Sequence, residues 1–173
     1  VPLNDILAFE FMTIALGAVY RSQPQLMAIL ILRSMRLIAR HGQLDGASYA
    51  FVNFALLELL DGNFSSAERF GMRGLELANQ GDDGSGRAYM VYASRLNHWF
   101  HDARDSLNYY YQACIQSLEN GDYMWADHAL SELCLYSIHL SNNLDDILQV
   151  ERDYGYLFID PTSKRYWYFS ACC

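Results

Sequence analysis

Three glycines, Gly42, Gly81 and Gly121, stand 39 and 40 residues apart, and each follows a stretch whose apolar residues recur with helical spacing. Just past a helix end a glycine suits a left-handed cap, because it takes a positive φ without a Cβ clash. A helix stop that returns at a fixed interval predicts an internal repeat of about two helices and two turns. Such units cannot bury their apolar faces alone, so they must stack on their neighbours.

The apolar periodicity predicts helices over 3–20 and 25–41, then at about 48–61, 65–79, 86–100, 103–120, 123–141 and 144–158. Another starts near 163, after DPTS, where Pro161 suits a helix entry and Ser163 a cap. No β alternation of useful length occurs, so the chain reads as all-α. With 173 residues, 52% of them apolar, 18% charged and only three prolines, it is one packed domain and not a disordered segment. We read 1–173 as a single helical-repeat domain, a piece of a longer chain, with hairpins at about 3–41, 48–79, 86–120 and 123–158 and the start of a further helix at about 163–173.

Within the repeat the small residues keep step. Ala55, Ala67 and Gly74 lie 12 and 7 residues apart, and Ser94, Ser106 and Ala113 repeat those intervals. Small side chains there let paired helices approach, while Phe51, Phe54, Met90 and Ala93 fill the layer between hairpins. The spacing resembles the tetratricopeptide motif, and GNFSSA at 62–67 resembles its helix-to-helix turn, in a unit longer than the usual 34 or so residues. That resemblance implies a right-handed α-solenoid of tetratricopeptide-like hairpins, about eight to nine helices in all. Its third pair, 123–158, fits the small-residue steps poorly.

A broader resemblance covers nearly the whole chain. LILRSMRLIARHG, SYAFVNFALLELLDGNFSSAERFG, LNHWFHDARDSLNYYYQA, SLENGDYMWADHAL and the final YW are similar to the helical-repeat region of large multidomain signalling proteins. In those proteins a serine/threonine kinase-like domain and a signal-transduction ATPase precede this region, and a GAF domain and a histidine kinase or other output domain follow it. The resemblance brings no catalytic residue with it.

Charge and cysteines narrow the partners. The net charge of −8 is uneven: residues 1–80 carry 7 acids against 6 bases, residues 81–173 carry 13 against 6. Nucleic acid is therefore disfavoured. The longest apolar run, LMAILIL at 26–32, is far short of a bilayer span, and Glu10 and Thr13 interrupt the apolar stretch at 6–19, so no membrane segment or signal peptide is expected. Cys114, Cys134, Cys172 and Cys173 form no CxxC pair, and reduced thiols in a cytoplasmic protein are the expectation.

No local motif demands chemistry. In RLNHWFHDARD, 95–105, His98 and His101 are spaced for one helix face, as a metal site would need. The repeat, however, aligns His101 with Gly62 at a helix end, where the dipole favours it, and places Asp102 to cap the next helix. GDDGSG at 81–86 follows a helix and carries two acids, which suits a turn and not a phosphate loop. YYY at 109–111 has no interleaved basic residues for base stacking. Asp145 and Asp146 fit a helix first turn. Nucleotide-binding, zinc-protease and hydrolase-elbow patterns are absent, so no catalytic residue, metal or cofactor is expected.

A stack of hairpins presents a concave surface lined by the first helix of each pair. The repeat register puts Asn53, Leu56, Tyr92, Arg95, His98, Glu132, Tyr136 and His139 on it. The function expected is a non-catalytic interaction or regulatory module of a signalling ATPase or kinase, binding a protein, peptide or neighbouring domain. A sensor of a transcriptional regulator, a spacer between catalytic domains, a small-molecule sensor or hydrolase, and a homodimer through the first hairpin or the aromatic end are alternatives that the sequence leaves open.

Overall fold

The computed structural model describes residues 1–42 and 44–140, together with Asp145, Leu148, Gln149 and Arg152, which are helical. Helix α1 (Leu3–Ser22) is followed after Gln23 alone by α2 (Pro24–His41). Pro24 opens α2 at a position whose N–H would have no helical partner, so its missing donor costs little there. Helices α3 (Ala47–Leu60) and α4 (Phe64–Ala78) form the next pair. Helix α5 runs from Ser85–Val91 through a π-helical turn, Tyr92–Leu96, and closes with Asn97–Phe100. Helices α6 (Asp105–Glu119) and α7 (Tyr123–Leu140) complete the order.

The described residues thus form seven helices and no strands, and this corrects the expected count of about eight to nine. The helices read at 144–158 and from 163 fall outside the described residues, the four named above apart. The π-turn was not foreseen. It inserts one wide turn where the sequence shows an unbroken helical pattern.

Each helix packs on its successor, and the odd-numbered helices also meet across pairs, α3 on α5 and α5 on α7. One apolar core runs through these contacts, from Leu16 of α1 and Ile31 of α2 to Leu130 and Cys134 of α7. A smaller cluster, Phe9 with Leu44 and Ala50, holds α1 to the start of α3. Helix α1 is long and apolar enough to cross a membrane over Leu3–Tyr20, a property that the uninterrupted-run criterion passed over. Here Phe9, Met12 and Leu16 pack inward while Leu3, Leu7, Phe11 and Ile14 are exposed on the opposite side.

The repeating glycines do what their spacing suggested. Gly42, Gly81 and Gly121 have φ of 85°, 82° and 71°. At Gly121 the amide donates to Leu118 O (3.1 Å) and Asp122 N donates to Ser117 O (2.8 Å), so these two carbonyls near the end of α6 are satisfied by backbone. Ala55, Ala67, Ser106 and Ala113 are fully buried. Ser106 is more than a small residue: its Oγ accepts from Asn97 Nδ2 (2.9 Å) and donates to Ala93 O (3.1 Å), tying the end of α5 to the start of α6.

The turn at 81–86 is built around a buried carboxylate. Asp82 Oδ1 accepts from Ser48 Oγ (2.5 Å) and Gly84 N (2.7 Å), and Oδ2 accepts from Ser48 N (3.2 Å). Ser48 lies in the first turn of α3, which has no side-chain cap of its own. An acid from the turn after α4 therefore satisfies an otherwise orphaned helix donor.

Candidate functional site

Four helices that are not sequence neighbours, α1, α3, α5 and α7, converge on a cleft of about 620 Å³. That size lies within the range of about 300–1,000 Å³ seen for small-molecule sites. Helix α3 gives Tyr49, Asn53 and Leu56, and α5 gives Arg87, Met90, Val91, Ser94 and Arg95. Helix α7 gives Met124, Trp125, His128 and Glu132. Helix α1 supplies the fourth wall with Thr13, Leu16, Gly17 and Tyr20.

Two contacts draw α1 across the other helices. The Arg95 guanidinium lies over the Tyr20 ring, 5.0 Å from its centroid, joining α5 to α1. At Gly17 the bare Cα faces the Trp125 ring of α7; a Cβ there would stand 3.6 Å from Cζ2. The Tyr20–Arg95 stack also borders a shallower depression of about 460 Å³ beside Met27 and Leu60.

The polar groups of the cleft differ in how far they are satisfied. Asn53 is buried and its Nδ2 donates to Tyr49 O (2.8 Å), one helical turn back. Arg87 donates from Nε (2.8 Å) and Nη2 (2.5 Å) to one oxygen of Asp122, a half-buried pair that pins α5 to the turn before α7. Burial pushes the Tyr49 phenol up to about 12, so it is a neutral hydroxyl at physiological pH. Arg95 and Glu132 make no ion pair among the described residues.

The eight residues selected by repeat register are dispersed. Asn53, Leu56, Arg95 and Glu132 line the cleft. Tyr92 is fully buried and turned toward α4, where its ring fills the space left by Gly71 and its hydroxyl reaches Met72 Sδ at 3.5 Å. Burial raises its pKa as well. His98 is exposed with its ring against Trp99. Tyr136 is half-buried and packs on Tyr110 with ring centroids 5.0 Å apart, and His139 is exposed with Nδ1 donating to Leu135 O at 2.6 Å. His98 and His101 do not share a helix face: α5 ends at Phe100, and His101 has extended backbone at φ −136°. Asp102 Oδ1 accepts from Arg104 N (2.9 Å) in the turn that follows. Among the described residues no group of three or more histidines, cysteines or acids is placed to hold a metal ion.

Sequence reasoning passed over the contribution of α1 and the Trp125–His128 wall. The signal for the first was Gly17 inside an apolar helix, a place where a backbone is approached closely. For the second no periodic signal existed, because the third pair does not follow the small-residue steps.

The described residues are all helical, and a known protein is similar in sequence to most of the chain. The chain is 24% identical to hybrid signal transduction histidine kinase G of Dictyostelium discoideum over an alignment of 159 residues, which takes in 89% of this chain and 5% of that protein. The chain therefore spans a small part of the relative's length. No family model and no solved structure matches it.

Proposed function

We propose that this chain is a non-catalytic regulatory module of a multidomain signalling protein, a right-handed tetratricopeptide-like solenoid that binds a partner, a peptide or a neighbouring domain at the cleft between α1, α3, α5 and α7. The observation that carries the reading is the cleft itself. It is assembled from the first helix of each successive pair, the surface that stacked hairpins offer for binding. The similarity to a hybrid histidine kinase over most of this chain supports a signalling setting, and a cytoplasmic location goes with that setting. The parent's kinase or ATPase output would respond to the occupant because occupancy favours one arrangement of the helices over another.

The test is the kinase or ATPase activity of a longer signalling chain that carries this region, in wild type and in an Arg95→Glu, Asn53→Ala variant. Loss of regulation with retained basal turnover supports the reading. Unchanged regulation in a variant with native helical content points to a spacer instead.

A further inference from the structure

The cleft holds two charges of opposite sign that are left over after its internal pairs are made. Arg87 is matched by Asp122, and His128 lies beside the Trp125 ring. Arg95 on α5 and Glu132 on α7 both line the cleft, and among the described residues neither has an ion-pair partner. The same cleft is lined by Tyr20, Tyr49, Trp125 and Met90. The Arg95 guanidinium carbon lies 5.0 Å from the Tyr20 ring centroid, and a guanidinium stacked on a ring can still donate its N–H groups to a carboxylate.

These features fix the charge of a well-matched occupant. Arg95 is exposed and Glu132 half-buried, so a neutral apolar ligand gains nothing from either charge and displaces part of the water on Glu132. An anion would satisfy the arginine and face the glutamate, and a cation the reverse. A molecule carrying both a carboxylate and an ammonium group around a bulky apolar body meets both, and it is not repelled by a chain of net charge −8. We propose, resting on the reading of this cleft as the binding site, that it takes a zwitterionic apolar ligand: an aromatic or large aliphatic amino acid, or a short peptide of such residues. The carboxylate sits on Arg95 and the ammonium on Glu132. The volume of about 620 Å³ admits either source.

The experiment is calorimetric titration of the 173-residue chain with phenylalanine, N-acetylphenylalanine, phenylalaninamide, N-acetylphenylalaninamide and the dipeptide phenylalanylphenylalanine. The expected result is that phenylalanine or the dipeptide binds at least about 10-fold more tightly than any capped probe, since each cap leaves one charge unpaired. Arg95→Gln should erase the preference for phenylalanine over phenylalaninamide. Glu132→Gln should erase the preference over N-acetylphenylalanine. A dipeptide tighter than phenylalanine assigns a peptide ligand, and the reverse order a free amino acid. Equal affinity for all probes, the neutral one included, overturns the zwitterion assignment and leaves an apolar binding cleft. Binding of none overturns the proposal outright, while the regulatory reading stands or falls by the parent's activity.

Discussion

Gly74 of α4 and Val52 of α3 meet with no room for a side chain between them: a Cβ at 74 would lie 2.5 Å from Val52 Cγ2 and 3.0 Å from Ser48 O. The second contact is with backbone, so the strain cannot be relieved by a rotamer change. Gly74→Ala gains up to about 1 kcal/mol of helix propensity but forces overpacking that typically costs about 1–3 kcal/mol. A net loss of about 1–2 kcal/mol is expected in chemical denaturation. A second substitution, Val52→Ala, should recover little of it, because the backbone contact persists.

Asp82 should matter to α3 although it lies in the turn after α4. Its carboxylate holds Ser48 N and Ser48 Oγ, both buried. Asp82→Ala leaves those donors unpaired at a cost of about 1–3 kcal/mol. Hydrogen exchange is the informative measurement, with faster exchange at 47–50 and at the 81–86 turn and smaller changes in α6. Uniform loss of protection across all helices would indicate a general fold defect instead.

The buried tyrosines set an alkaline limit. An unfolded tyrosine titrates near 10, and burial raises Tyr49 to about 12. The folded state thus holds this proton where the unfolded chain releases it. Stability is fully present below pH 10 and falls as pH rises toward 12, by about 3 kcal/mol for two units. Tyr92 and Tyr110 are shifted upward by burial too and steepen the loss. Denaturation midpoints followed by circular dichroism from pH 8 to 11.5 should decline beyond pH 10, and less steeply in Tyr49→Phe.

Cys114 of α6 is buried in the main apolar core, and desolvation pushes its thiol up to about 11. Its thiolate fraction at pH 8 is accordingly small, and a reagent reaches it only through opening of the fold. Iodoacetamide labelling read by peptide mass should leave Cys114 unmodified in the native protein and modify it fully in denaturant. Rapid native labelling would contradict the packing of α6.

How much of this was legible in the sequence varies by residue. Gly81 and Gly121 announced their helix ends, since a positive φ is a local demand that glycine meets locally. Of the residues chosen by counting repeat steps, Asn53, Leu56, Arg95 and Glu132 line the cleft, whereas Tyr136 and His139 of α7 do not. Tyr92 sits at the start of the π-turn and faces α4, the kind of local departure that repeat counting does not register. Asp82 looked like part of an acidic turn because its partner, Ser48, is 34 positions away. Gly17 and Tyr20 belong to the cleft only because α1 crosses toward α5 and α7, a tertiary fact without a periodic trace.

Hydrogen exchange of a longer signalling chain that carries this region, compared with its kinase or ATPase output on and off, tests the proposed role most directly. Occupation of the cleft should change protection in 49–56, 87–95 and 124–132, with α4 and the outer face of α2 unaffected. Changes confined to other segments, with those three stretches identical in both states, would contradict a regulatory role for the cleft.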